Sequence, residues 1–281
     1  MEGSYKTIIK SKTKWYEINF KELWAYRDLV LLFVKRNFST RYKQTILGPA
    51  WMIISPIVST LISTFVFGTI ASIPSDGVPY FIFYMCGNSL AWSFFSSCLN
   101  STSNTFTGNA GIFGKVYFPR LVAPISSVLT SLIDFTIQLF MFVIFWIIFY
   151  VKGACINLTW AIVLVPVLLL QMAMLGLGCG IIISSLTTKY RDLNVLVGFG
   201  MSLWMYITPI IYSVSSLSSK LKSLCMLNPM APIVEIFRYA FLGTGEIAYT
   251  YWGISWIVTL ILLSIGVILF NKVEKTFMDT V

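Results

Sequence analysis

LVAPISSVLTSLIDFTIQLFMFVIFWIIFYV, residues Leu121–Val151, carries a single ionisable side chain, Asp134. A helix that crosses the hydrocarbon core of a bilayer needs about 20 mostly apolar residues, so this stretch spans a membrane with length to spare. On either side of it lie charge-free runs long enough to do the same: Gln44–Ser75, Gly77–Gly114, Gly153–Lys189 without its final lysine, Leu193–Ser219 and Ile247–Asn271. Each ends at Gly, Ser, Pro or charged residues, which punctuate helices. The pattern predicts an all-α integral membrane protein, one transmembrane domain over residues 1–281. Its six spanning helices are expected near 49–70, 80–104, 121–150, 158–186, 193–214 and 250–270. The run from Gly77 is too long for one span, so 105–120, rich in Gly and Asn, is expected to be a loop holding a short helix.

Composition agrees. Of the 281 residues 57% are hydrophobic and 11% charged, and the mean hydropathy is +0.81, whereas a soluble domain carries about 25% charged residues. There is no histidine, which removes the commonest general base and a common zinc or haem ligand. Cys86, Cys98, Cys155, Cys179 and Cys225 show no metal-like spacing and are read as small apolar membrane residues. The first forty-odd residues stay polar and basic, unlike a cleaved signal peptide, so the mature chain is expected to start at Met1.

Lysine and arginine near span ends remain in the cytoplasm. Ten of the twenty lie in residues 1–48, and two each lie in 105–120, 187–192 and 271–281, against four on the other side (Lys152, Lys220, Lys222, Arg238). Both termini are therefore expected in the cytoplasm. The net charge of +9 follows from this bias and requires no nucleic-acid partner.

Two segments beside the spans are amphipathic or re-entrant in pattern. In Leu23–Lys43 the residues Leu23, Tyr26, Val30, Phe33, Val34 and Phe38 recur at helical spacing among Arg27, Asp28, Lys35, Arg36, Arg41 and Lys43. This predicts a helix in the cytoplasmic interface, apolar side in the lipid and basic side on anionic headgroups. Outside, 215–246 is too charged to span but too apolar for an ordinary loop. It reads as two short re-entrant helices broken at Asn228-Pro229 and Pro232, able to close an exit. No internal repeat is present, which counts against the inverted halves of many secondary transporters.

GNAGIFGK at Gly108–Lys115 approaches a phosphate-binding loop but has Asn109 where the first glycine is required and Val116 where Ser or Thr is required. ATP hydrolysis is not expected of this chain. Asp134 lies about four turns into its span and shows no evident partner in another span, which favours a structural hydrogen bond over a proton site. Tyr80, Tyr84, Asn88 and Trp92 share one face of the second span, and Gly200, Trp204, Thr208 and Tyr212 one face of the fifth. Rings alternating with hydroxyl and amide groups suit a sugar path, although helix contacts and membrane interfaces use the same residues. Trp51, Ser55, Ser59 and Ser63 on the first span read as small-residue helix packing.

The chain resembles the type-2 ABC-transporter permeases, and within them the exporters of bacterial O-antigen, capsule and teichoic acid. The resemblance covers nearly the whole chain. It is carried by RNFSTRYKQTILGPAWMIISP (Arg36–Pro56), IFGKVYFPR (Ile112–Arg120), the pair Arg191-Asp192 and LNPMAPIVEIFR (Leu227–Arg238). It implies a homodimer of six-span subunits in the bacterial inner membrane, each docked to a separate cytoplasmic ATPase that holds ATP and Mg, with no cofactor in this chain. It implies that 105–120 is a coupling loop entering the ATPase, through Asn109, Ile112, Phe113, Lys115, Phe118, Pro119 and Arg120, with Arg191 and Asp192 beside it. It maps 215–246, with Asn228, Pro229 and Arg238, to outer gate helices. A lipid-linked polysaccharide carries an anionic pyrophosphate, for which Arg36, Arg41 and Lys43 are the expected headgroup ligands.

Three other readings compete. A type-2 permease for a drug, lipid or peptide shares the architecture. A membrane glycosyl- or acyltransferase needs a catalytic acid, base or metal cluster that the residues do not offer. A proton-driven carrier rests on Asp134 alone.

Overall fold

A computed structural model describes residues 20–42, 48–116, 118–190 and 192–280. Among these residues every regular element is helical. Two helices open the chain, α1 (Phe20–Ala25) and α2 (Arg27–Tyr42). Gly48, in the left-handed region at φ +51°, turns the backbone into a short 3₁₀ turn and α3 (Trp51–Ser63), which runs on as a π-helical stretch, Thr64–Ile70. The next long helix is continuous but changes pitch twice: α4 (Tyr80–Tyr84), a π-helical stretch Met85–Trp92, and α5 (Ser93–Ser103). Then come α6 (Thr105–Phe113), α7 (Val122–Val151), a 3₁₀ entry Trp160–Leu164 into α8 (Val165–Thr187), and α9 (Leu193–Ile207). The pair α10 (Ser219–Met226) and α11 (Met230–Leu242) precedes the last helix, α12 (Tyr249–Thr280).

Among the described residues four stretches are long and apolar enough to cross a membrane: Gly48–Ile70, Val122–Val151, Trp160–Thr187 and Tyr249–Glu274. The other two expected spans differ for identifiable reasons. Tyr80–Ser103 has the length, but its second half reads SFFSSCLNSTS, in which seven of eleven side chains carry a hydroxyl or amide. The fifth was expected over 193–214 and stops at Ile207, because Pro209 drives Thr208 into extended backbone at ψ 138°. Its 15 residues reach about 22 Å, short of a hydrocarbon core about 30 Å thick. The last helix runs ten residues beyond the expected 270, through a polar tail without a breaker.

Glycines decide how closely the central helices meet. In α8, Gly176 and Gly180 face α5, where an added Cβ at 176 would lie 2.7 Å from Cys98 Cβ; Gly178 faces α12, 2.8 Å from Leu263 N. Gly266 on α12 completes that contact against Gly178 O. Such approaches replace the hydrophobic effect, which does not act between helices dissolved in lipid. Consistently, many large apolar side chains on α3 and its π-helical continuation, α7, α9 and α12 face outward, among them Phe65, Phe140, Val195, Phe199 and Ile257. Lipid, not water, solvates such a surface.

A separate aromatic cluster closes one end of the bundle. Phe106 stacks on Phe270 at 4.5 Å, and Phe113 meets both Phe106 (6.0 Å) and Phe118 (5.7 Å), which in turn meets Phe33 of α2 at 5.6 Å. The N-terminal helix thus differs from the expected surface anchor. Val30 and Phe33 are buried in this cluster while Leu31 and Leu32 are exposed on another side, so α2 packs along α7 instead of lying on lipid alone.

Candidate functional site

Between α3, the Met85–Trp92 stretch, α5 and α7 lies a cavity of about 570 Å³. Its wall is polar for a bundle this apolar: Ser55 and Ser59 from α3, Asn88, Ser96, Ser97 and Asn100 from the second long helix, Ser131, Asp134 and Gln138 from α7, with Trp51 and Trp92. Helical repeat aligns these groups. Residues 55 and 59, 89, 93, 96 and 100, and 131, 134 and 138 each recur every three or four positions, so each helix turns one hydroxyl or amide face inward. Pro56, which has no N–H to donate, keeps its carbonyl paired through Thr60 Oγ1 (2.7 Å) and Ser89 Oγ (3.4 Å), tying α3 to its neighbour. Ser97 and Ser131 join α5 to α7 with their hydroxyls 2.9 Å apart.

At the mouth of this cavity the guanidinium of Arg41, from the end of α2, donates to the carboxylate of Asp134. A partner that sequence could not find for Asp134 therefore comes from α2. Burial of a lone carboxylate in lipid is costly, and pairing with a cation is what makes it tolerable. α7 is 30 residues long, about 45 Å, so roughly a third of it extends beyond the hydrocarbon. One turn earlier on α2, Arg36 donates to Asn109 Oδ1 of α6 at 2.9 Å and lies over the Phe33 ring at 4.3 Å. Arg36 and Arg41, expected to face headgroups, are thus both engaged with the protein. Lys43 lies outside the described residues.

Of the aromatic and polar faces expected to line a channel, Asn88 and Trp92 reach the cavity. The other five are packed elsewhere. Tyr80 fills the space over Gly68 and stacks on Tyr84 at 6.3 Å, and Tyr84 is fully buried. Trp204 sits edge-on to Phe95 at 5.0 Å and donates to Asn228 Oδ1 at 2.8 Å. Thr208 accepts from Asn228 Nδ2 at 2.8 Å, and Tyr212 donates to Ile207 O at 2.9 Å. Conversely, Trp51, Ser55 and Ser59, read as helix packing, are exposed to the cavity. The missed signal was the recurrence of hydroxyl and amide groups within runs that contain no charge.

The residues expected at an outer gate hold the α10–α11 pair in place. Asn228 caps α11 by accepting from Met230 N at 3.1 Å, and Pro229 O accepts from Ser255 Oγ of α12 at 2.6 Å. The break expected at Pro232 does not occur, because a proline in a first helical turn has no intrahelical bond to lose. Arg238 is buried, donating to the carbonyls of Ile210 (2.5 Å) and Tyr212 (3.1 Å), with Glu235 3.5 Å away.

The expected coupling residues divide between two sides. Phe113, Phe118 and Arg120 are buried, Arg120 donating to Glu274 O at 2.6 Å, while Asn109, Ile112 and Pro119 are half-buried. Lys115 and Asp192 are exposed, as are Thr107, Gly108, Gly111 and Val116 beside them. Arg191 lies outside the described residues.

Residues 28–242, from α2 through the cavity to the end of α11, match the family model for ABC-2 type transporters. The chain belongs to the ABC-2 type transporter family. Among the curated members similar to it is an O-antigen export system permease protein RfbA of Klebsiella pneumoniae. That protein is 27% identical over 252 residues, 90% of this chain and 94% of the relative. An RfbA of Myxococcus xanthus is 27% identical over 223 residues, covering 79% and 83%. The polysialic acid transport protein KpsM of Escherichia coli is 24% identical over 250 residues, covering 87% and 93%. The cavity and both of its charged residues fall inside the ABC-2 match.

Proposed function

We propose that this ABC-2 transporter chain is the membrane permease subunit of an ATP-driven exporter that moves a lipid-linked polysaccharide, an O-antigen or a related cell-surface glycan, across the bacterial cytoplasmic membrane. The observation that carries the reading is the cavity of serine and asparagine side chains bounded by Trp51 and Trp92. Indole rings take the apolar C–H faces of a sugar, and hydroxyls and amides exchange hydrogen bonds with its edges without binding any one residue tightly. The names of the relatives support the same cargo. In this reading the chain has six spans, Tyr80–Ser103 and Leu193–Ile207 completing the four apolar ones, with both termini in the cytoplasm. Two copies pair, and each binds a separate ATPase subunit that carries ATP and Mg. The exposed face of α6 with Lys115 and Val116 meets that ATPase. Closure of two ATPases on ATP shifts α6, and the bundle follows because α6 binds the two conformations differently.

The test is reconstitution of the chain with its candidate ATPase in liposomes. Hydrolysis stimulated by a lipid-linked glycan, and glycan appearing on the far side, support the proposal. Hydrolysis that ignores the glycan but responds to a drug or peptide assigns a different cargo.

A further inference from the structure

We infer that a second, apolar groove between α2 and α7 is the tail site of the lipid-linked substrate: it takes the branched isoprenoid chain while the glycan enters the polar cavity beside it. The inference rests on the cargo proposed above and adds where the lipid end of that cargo is held.

The groove has a volume of about 690 Å³, and its wall is formed by Leu31, Val34 and Phe38 of α2, Pro49 before α3 and Ile133 of α7. That volume falls within the range of sites for small ligands, about 300–1,000 Å³. Its rim is polar, with Lys35 and Ser39 both exposed on α2. A lysine stem lies along hydrocarbon while its ammonium reaches water, which suits a groove that opens where lipid tails give way to headgroups. The groove and the polar cavity are neighbours on the same three elements. On α2, positions 31, 34, 38 and 41 share one helical face, and Arg41 lines the cavity. On α7, Ile133 lines the groove and Asp134 the cavity; before and at the start of α3, Pro49 lines the groove and Trp51 the cavity. The order across the protein is therefore hydrocarbon, guanidinium, then hydroxyl, amide and indole. A lipid-linked glycan has the same order of tail, pyrophosphate and sugar. A guanidinium has five N–H donors, and 40% of the Arg41 side chain is exposed, so an anion can meet it while its contact with Asp134 persists.

Phospholipid acyl chains compete for any apolar groove in a membrane, and the hydrophobic effect does not choose between hydrocarbons already dissolved in lipid. Two other terms do. Packing is the first: Val34 and Ile133 are branched and Phe38 and Pro49 carry rings, so the wall is uneven and a methyl-branched chain makes more close contacts with it than a straight one. The double bonds of an isoprenoid do not rotate, so ordering it in the groove also costs less entropy than ordering a saturated chain. The second term is linkage. Once the glycan occupies the cavity, its own tail stands beside the groove at an effective concentration in the millimolar range, an advantage that a phospholipid lacks.

The experiment is photolabelling of the full-length chain in nanodiscs of phosphatidylethanolamine and phosphatidylglycerol. The probe is a polyisoprenyl pyrophosphate with a diazirine in its tail, and labelled peptides are mapped by mass spectrometry. Label is expected to concentrate on residues 31–39 and on α7 around Ile133, and excess unlabelled polyisoprenyl pyrophosphate should abolish it. Raising the phosphatidylglycerol content should not, which separates the isoprenoid from a phospholipid acyl chain. Leu31→Trp and Ile133→Trp fill the groove from side chains that are 63% and 38% exposed. Each should cut the labelling about tenfold at an unchanged melting temperature. Two variants on different helices keep the test open if one does not fold. Label spread over the exposed apolar faces of α3, α7 and α12, label that phosphatidylglycerol displaces, or label undiminished in a folded variant overturns the inference. Glycan-stimulated ATP hydrolysis by the wild-type chain with its ATPase is measured alongside. Stimulation that persists while the tail labels elsewhere removes the tail site alone, whereas a labelled groove without stimulation keeps the isoprenoid site and removes the glycan cargo.

Discussion

The guanidinium of Arg238 lies 3.8 Å above the ring centroid of Phe83, sealed between the α10–α11 pair and the second long helix. Its charge is met by Glu235 one turn back, by two carbonyls from the turn after α9, and by the face of the ring. One arginine thereby joins α11, the α9–α10 connection and the helix that borders the cavity.

Removing that arginine should be severe. Arg238→Ala leaves Glu235 buried without its partner, a loss of about 3–5 kcal/mol. The measurement is the thermal midpoint of the detergent-purified chain. Adding Glu235→Gln should recover part of the loss, and a double variant no more stable than the single one would contradict the pairing.

Gly87 is the position that admits this side chain. A Cβ there would lie 2.9 Å from Arg238 Nη2 and 3.2 Å from Ile210 O. The guanidinium is pinned and the carbonyl is backbone, so neither yields easily. Gly87→Ala should cost about 1–3 kcal/mol, as overpacking does. A melting temperature equal to that of the wild type would show that the hairpin moves aside freely.

Asn228 carries three hydrogen bonds at once, to Met230 N, Trp204 Nε1 and Thr208 Oγ1. Asn228→Ala should lose a helix cap and two interhelical bonds, about 1–3 kcal/mol in sum. Trp204 also loses its acceptor. Its fluorescence, read in a chain whose other tryptophans are replaced by Phe, should shift, whereas an unshifted spectrum would mean that the indole is held by packing.

The resemblance puts Phe113 and Phe118 in a coupling loop, so charged substitutions there are the obvious variants with which to look for loss of coupling. Both rings are buried in the end cluster, so those variants should lower stability first. Lys115→Glu and Val116→Asp alter the exposed side, Val116 being 58% exposed. They should leave the melting temperature unchanged while reducing substrate-stimulated ATP hydrolysis by about tenfold, the loss of about 1.4 kcal/mol of contact. Full stimulation in both would move the docking face elsewhere.

Sequence by itself determined the solvent and much of the course of the chain. Runs without charge mark lipid-crossing helices because a buried charge is costly there. It also located the short helix before Gly114 and the break at Asn228-Pro229. Tertiary structure alone decided which side of each helix does what. Leu, Phe and Ile are equally at ease against lipid and against another helix, so hydropathy cannot separate Phe113, buried at 1%, from Val116, exposed at 58%. Tyr80, Tyr84 and Trp204 became packing for the same reason, while Ser55 and Ser59 opened onto the cavity. The pairing of Asp134 with Arg41 was out of reach of any local pattern, since Arg41 lies 93 residues away in the chain and only the folding of α2 against α7 brings the two charges together.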